Sequence, residues 1–558
     1  MPALPPLLVW AVIVGIVGAL STIAFREALA GAQWLLFGRS GSLVKLATDL
    51  PWWQRILIPA LGGIVAGLLL ELARRNQSHG SADYMAAIAH ENGSIAVPKT
   101  LLNSLSSLST IASGGSIGRE GSMVQLAAMC ASVAGRFGKF DSAQLRVLVA
   151  CGAAAGIASA YNAPIASAFF VSEIVLGAIV MDSFGPIVVS AVVANITMRE
   201  FPGYHPAFEM PAIPPIGMIE LVPFVAIGVT SGLLAPLFLR FLDATKCRAK
   251  ELPIPVPLRL GIGGLVVGIV SVWVPQVWGN GYSVVNSLLH SPWLWSAVLL
   301  VLAAKVVATA ATVGSGAIGG VFTPTLFVGA ALGYLFGIGT HDLLPFAPSP
   351  PSTYAVVGMG AFLAAATGAP LMAILMIFEM TLSYQVMLPL MLASVLAYYA
   401  SRSGEGTAMY DITVTRIREE KARTQLRATL MRELIQPAET ILPIDAPFSD
   451  MTRMFLQFPV KYIYIIDAAN RYQGVVALQD LTLALLNREE AEGKTARDFL
   501  RRDFLKVITP EMSLNAALNC FLAHQGERLP AIRSQDDPQL LGVVYKTALL
   551  DAYYRLNG

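Results

Sequence analysis

Charge is scarce in this sequence, and cysteine is scarcer. Of 558 residues, 13% are Asp, Glu, Lys or Arg, while 55% are hydrophobic. A soluble enzyme of this size needs a charged surface, so the composition favours a polytopic membrane protein. The four cysteines (Cys130, Cys151, Cys247, Cys520) are far apart and form no CxxC pair, which excludes a disulfide framework or a zinc cluster. The six histidines show no ligand spacing. With no nucleophile–base pair, phosphate loop or metal cluster in view, an enzyme is not expected. The net charge of +2 points to no partner, and nucleic acid is not expected. The apolar run 7–24 has no basic residue before it and no clear cleavage site, so it reads as a retained first helix rather than a signal peptide.

The charge that exists is unevenly placed. Residues 1–402 hold 35 charged side chains, about 9%, and residues 403–558 hold 39, or 25%. A membrane domain over 1–402 therefore precedes a basic linker, 403–432, and a soluble tail, 433–558, long enough for its own core. Many apolar segments of the first part are shorter than the roughly 20 residues that span a bilayer. Short, broken helices are tolerated in membranes where the loose backbone is buried or lines a polar path. That is the layout of a transporter or channel.

The membrane part repeats itself. Ser116-Ile117-Gly118 matches Ala317-Ile318-Gly319, and residues 152–173 match residues 358–379. In both longer blocks Gly to Pro is twelve residues and Pro to Glu is nine (Gly152, Pro164, Glu173; Gly358, Pro370, Glu379). The halves run over about 1–200 and 218–402, joined by the proline-rich segment 201–217. Duplicated halves put a substrate site at their interface, where broken helices point their ends inward. Arg402, Arg416, Arg418, Lys421, Arg423, Arg427 and Arg432 follow the last apolar run, and such a cluster favours the cytoplasm.

The stretch 113–125, SGGSIGREGSMVQ, organises this part. An ionisable residue at membrane depth is costly and marks a functional site by default, so Glu120 stands out against the bland reading of a solvated loop carboxylate. Gly118 and Gly121 let backbone N–H groups approach a ligand, and a helix starting there aims its positive end at it.

The GREG loop in the first half, GGVFTP in the second, two AP-x8-E helices (Ala163-Pro164 to Glu173, Ala369-Pro370 to Glu379) and a late Tyr410 occur in order. Together they resemble the CLC family of voltage-gated chloride channels and chloride/proton exchangers, with wording most similar to the bacterial ClcB-type branch. The resemblance implies an all-α polytopic membrane domain, an inverted repeat of broken helices, and a homodimer with one chloride path per subunit. It implies a bacterial inner membrane location with the C-terminal domain in the cytoplasm. Residue by residue, Glu120 matches the external gating glutamate. The backbone amides around Gly118, Arg119, Glu120 and Gly121, and those of Val321, Phe322 and Thr323, match the anion-binding loops. Tyr410 matches the tyrosine that closes the inner side; an interfacial aromatic anchor is the bland alternative. Such neutral donors suit chloride, because conduction needs weak, multi-site binding.

Two departures from the family pattern matter. Where the first anion loop usually offers a serine, this chain has Ser78-His79-Gly80-Ser81. His79 either donates an N–H to chloride, making inner-side affinity pH-dependent, or caps the helix start; Ser78 or Ser81 can substitute if the register slips. Where exchangers usually carry an inner proton glutamate, this chain has Ile174, with Glu173 one position earlier and, on an α-helix, about 100° away. An isoleucine relays no proton, which tilts the expectation toward a passive channel, with a chloride/proton antiporter as the alternative.

The tail reads as two copies of an α/β unit: strands at 462–467 and 474–476 with a helix from Asp480, and strands at 529–532 and 540–545 with a helix from Thr547. Amphipathic helices at 449–458 and 513–524 precede them. This resembles a tandem CBS module. Units of that kind that bind adenine nucleotides often place Ser or Thr three residues after the last-strand glycine and Asp six after. Here Gly474 is followed by Ala477 and Asp480, and Gly542 by Tyr545 and Ala548. No nucleotide cofactor is therefore expected, and a structural or dimer-contact role is the default.

Overall fold

The computed structural model describes residues 4–76, 80–81, 83–89, 92–201, 208, 216–343, 349–402, 408–410, 431–485, 491, 493–502, 506–522, 524 and 526–557. His79, Ser78 and the basic residues 411–430 lie outside that set. The chain divides into two compact units, 1–414 and 415–558.

The first unit is helical. Its first half holds α1 (Leu4–Phe37), α2 (Leu43–Asp49), α3 (Trp52–Arg75), α4 (Tyr84–Ala89), α5 (Val97–Ala112), α6 (Glu120–Phe137), α7 (Ser142–Tyr161), α8 (Pro164–Phe169), running into a π-helical turn (Phe170–Leu176), and α9 (Met181–Arg199). Its second half holds α10 (Leu221–Glu251), α11 (Val256–Trp273), α12 (Tyr282–His290), α13 (Trp295–Gly314), α14 (Phe322–Leu343), α15 (Pro351–Thr367), α16 (Pro370–Thr381) and α17 (Met387–Arg402). Eight helices among the described residues are long and apolar enough to cross a membrane. The apolar segments read from the sequence recur among these helices, with α10 running on to Glu251 past an apolar run that ends at 240, while the short α2, α4 and α12 have no apolar run of their own.

The duplication is visible in packing and in backbone angles. α1 lies against α6, α7 and α9, while α10 lies against α14, α15 and α17; α3 meets α11, and α8 meets α16. α7 ends on left-handed Asn162 (φ 56°), and Ala163 (φ −128°, ψ 75°) leads into Pro164. α15 ends on left-handed Gly368 (φ 70°), and Ala369 (φ −128°, ψ 81°) leads into Pro370. A left-handed cap stops each first helix. The residue before proline is pushed from the α region, and proline at the first helical position starts the next helix.

That turn gives Glu173 and Glu379 their work. Ile165 N–H and Ala166 N–H donate to Glu379 at 3.0 and 2.7 Å, and Met372 N–H donates to Glu173 Oε2 at 2.8 Å. Each copy's glutamate thus caps the other copy's helix start, where unpaired N–H groups and the dipole favour a negative charge. Because 170–176 is π-helical rather than α-helical, the rotation between residues 173 and 174 is smaller than an α-helix gives, yet the two still diverge. Ile174 is buried in the main apolar core.

The tail unit has β1 (Ile441–Pro443), α18 (Phe448–Gln457), β2 (Tyr462–Ile466), β3 (Tyr472–Ala477), α19 (Leu478–Ala484), α20 (Leu514–Leu522), β4 (Arg528–Ile532), β5 (Leu540–Tyr545) and α21 (Lys546–Asn557). β1 pairs parallel to β2, β2 antiparallel to β3, and β4 antiparallel to β5. Both hairpins break register at the same place, after Ile465 opposite Gly474 and after Ala531 opposite Gly542. This is the α/β duplication read from the sequence, with β1 added.

Candidate functional site

Two loops meet where the halves join. Gly118 N–H donates to Gly320 O at 2.8 Å, and Gly320 N–H returns the bond to Gly118 O at 3.0 Å. This two-residue bridge, formed by segments about two hundred positions apart, sets the starts of α6 and α14 side by side. The first turn of a helix leaves N–H groups without intrahelical acceptors, and its dipole is positive there. Residues 119–121 at the start of α6 therefore lie beside residues 321–323 at the start of α14.

Into that neighbourhood stands a carboxylate. Glu120 is 3% exposed, at the first residue of α6. Its Oε1 accepts from Asn280 Nδ2 at 3.2 Å; its Oε2 is buried without a hydrogen-bond partner. Oε2 lies over Gly118, where an added β-carbon would meet it. Buried polar atoms are normally paired, so an orphan oxygen at a helix-end junction signals a group poised for something other than stability.

A set of aromatic hydroxyls surrounds it. Tyr161, Tyr282 and Tyr410 all lie within electrostatic reach of Glu120. Thr323 lies within weak hydrogen-bonding reach of the phenols of Tyr161 and Tyr282, and neither its Oγ1 nor Tyr282 OH makes a well-formed hydrogen bond. The rings run in sequence: Tyr161 to Phe322 with centroids 4.9 Å apart, Phe322 to Phe170 at 6.4 Å, and Phe170 to Tyr410 at 5.6 Å. Met409 N–H, donating to Ala366 O at 2.8 Å, anchors the backbone beside Tyr410. Residues 408–410 are not helical, and residues 411–430 of the basic linker lie outside the described residues.

Tyr84, at the start of α4, lies within reach of Tyr410. It is held there by its N–H, which donates to Gln125 Oε1 of α6 at 3.0 Å. Gly80, with φ of +113°, is exposed. Ser81 Oγ accepts from Asp83 N–H at 3.3 Å, so that hydroxyl is already engaged in the local turn. At the other end, Arg26 of α1 and Arg119 interact electrostatically.

The structure thus brings Gly118, Arg119, Glu120, Gly121, Val321, Phe322, Thr323 and Tyr410 into one region. It adds Asn280, Tyr161 and Tyr282, which the sequence reading missed. Asn280 carried a faint signal: it sits between glycines of φ +72° and +102° (Gly279, Gly281), and a doubly left-handed turn inside an apolar chain is built for a purpose.

The family model described as voltage-gated chloride channel matches residues 61–402. A ClcB-like chloride channel protein of Ralstonia nicotianae is 52% identical over 416 residues, covering 74% of this chain and 97% of that protein. The voltage-gated ClC-type chloride channel ClcB of Salmonella typhimurium is 40% identical over 406 residues, covering 72% of this chain and 97% of its own. Among solved structures, a slow cyanobacterial chloride/proton antiporter aligns with a TM-score of 0.65 at 25% identity, over 74% of this chain and 97% of its own. A eukaryotic CLC transporter aligns with a TM-score of 0.60 at 17% identity, over 97% of each chain.

Proposed function

The chain belongs to the voltage-gated chloride channel (CLC) family, a family of anion transport proteins rather than enzymes, and from that premise we propose that it conducts chloride passively through a path gated by Glu120. The observation that carries the gate is the buried carboxylate whose Oε2 has no partner, standing where two helix starts converge. With the path shut, the carboxylate takes an anion's place before the amides of residues 119–121 and 321–323. When it protonates or swings away, chloride replaces it, held by amides and by hydroxyls such as those of Thr323 and Tyr410. These neutral donors hold a weakly hydrated anion without trapping it.

Passive conduction is preferred over coupling because, among the described residues, no spare carboxylate stands at the expected inner place. Ile174 is buried among apolar groups, and Glu173 is spent on the start of α16. Chloride/proton exchange is the second reading. It is favoured by the phenols of Tyr161, Tyr282 and Tyr410 around Glu120, a chain of hydroxyls able to pass a proton, and by the antiporter among the structural relatives.

Proteoliposomes under opposed chloride and pH gradients separate the two. A reversal potential that ignores the pH gradient supports the channel; one that moves with it supports exchange. The family further supports a homodimer in a bacterial inner membrane, and the basic run after residue 402 supports a cytoplasmic tail of the CBS kind.

A further inference from the structure

The loop before α12 does more than connect. Trp278 is buried, and its indole covers left-handed Gly114 of the first-half loop. Gly281 lies against Phe327 of α14. Between them, Asn280 donates to Glu120, and its own Oδ1 accepts from Tyr282 N–H at 3.4 Å, so the amide group is oriented from both ends.

Beneath this loop lies Lys305 of α13, 0% exposed. Its ammonium donates to Val277 O at 2.8 Å and to Gly279 O at 2.6 Å, and no acidic group among the described residues pairs with it. A buried ammonium is costly unless its bonds are needed. Here they grip the carbonyls on either side of Trp278, fixing the backbone immediately before Asn280.

We infer that Asn280 is the latch of the shut gate, a positioning residue that holds the Glu120 carboxylate in place, and that Lys305 sets the latch by pinning the 277–279 backbone. This rests on the reading of Glu120 as the gate. The amide N–H holds the carboxylate where it stands, so removing it weakens the shut position and lets the path open at a higher pH. The other titratable groups facing Glu120 are the phenols of Tyr161 on α7, Tyr282 on α12 and Tyr410, with the Arg119 guanidinium near Tyr282. Phenols ordinarily titrate at about 10 and guanidinium above about 12, outside pH 5–8. The Lys305 amine beneath the loop is the further titratable group, so a profile is assigned to Glu120 only where Glu120→Gln abolishes it.

The test is chloride efflux from proteoliposomes against symmetrical pH, using the full chain. The parent conducts more as pH falls. Asn280→Ala moves the half-maximal pH up by about one unit, the size of one hydrogen bond to a charged group. Asn280→Asp, nearly isosteric, moves it further by replacing a donor with a like charge, and Lys305→Met moves it the same way. Glu120→Gln removes the pH dependence, and adding Asn280→Asp to it brings no pH dependence back. If Glu120→Gln flattens the profile while both Asn280 variants keep the parent's, the latch is wrong and the gate stands. If Glu120→Gln keeps the parent's profile, the gate itself fails and the latch with it. Asn280→Asp protects the test against a folding defect, because it leaves the loop's volume and its Tyr282 contact in place.

Discussion

Thr323 shows what one side chain can report. Its buried hydroxyl makes only weak contacts with the phenols of Tyr161 and Tyr282 and no well-formed hydrogen bond, so an isosteric valine gives up little. Thr323→Val is thus expected to leave thermal stability of the purified protein nearly unchanged. If the hydroxyl faces the anion, chloride affinity falls about twofold to twelvefold, the worth of one hydrogen bond of about 0.5–1.5 kcal/mol. Calorimetric chloride titration of parent and variant measures it, and an unchanged affinity would remove Thr323 from the path. The burial of Glu120 where the two halves meet was legible in the sequence, because an acid flanked by glycines in an apolar chain is costly. Asn280, Tyr161 and Tyr282 were not. Each reaches Glu120 through a tertiary contact, and in the sequence a lone Asn in a turn or a Tyr at a helix end has many ordinary uses.

At the scale of elements, the matched spacing of Gly, Pro and Glu made the duplication readable, since those residues dictate caps, helix starts and a charge at the far end. How the two copies use one another was not readable. Spacing alone put Glu173 and Glu379 at equivalent places; only the meeting of α8 with α16 makes each the cap of the other's first turn. Losing such a charge-assisted cap costs about 1–2 kcal/mol. Glu173→Ala and Glu379→Ala are each expected to lower the unfolding temperature of the detergent-solubilised protein by a few degrees. They cap opposite ends of the α8–α16 contact, so a double variant that departs from the sum of the two singles would show coupling through that helix pair. Strict additivity would mean that the caps act independently. The π-helical turn at 170–176 had no sequence signal, because a single extra residue in a turn is a packing solution rather than a propensity.

For the whole molecule, the contrast between 9% and 25% charge announced two units, and within the tail the strands fell where β-branched and aromatic runs alternate with turn residues. The short parallel β1 was missed because three residues carry too little pattern. Whether the tail takes a nucleotide turns on Asp480, the aspartate six residues after Gly474. Both of its oxygens are taken: Arg501 Nε and Nη2 donate to Oδ2 and Oδ1 at 2.7 and 2.6 Å, and the same carboxylate holds the guanidinium further toward its charged form. Arg501 is itself fixed by paired backbone bonds with Val475, at 3.1 and 2.8 Å. A ribose would have to displace a bidentate ion pair on a rigid backbone, with Ala477 offering no hydroxyl in exchange. Millimolar ATP or AMP is therefore expected to leave the tail's unfolding temperature unchanged, whereas any ligand at a hundred times its Kd would stabilise by about 2.7 kcal/mol. Arg501→Ala should cost the tail about 1 kcal/mol or less, since the pair is partly solvated and screened. A clear upward shift with ATP in the parent would mean that Asp480 exchanges partners, and that the tail senses nucleotide rather than serving as a structural or dimer-contact unit.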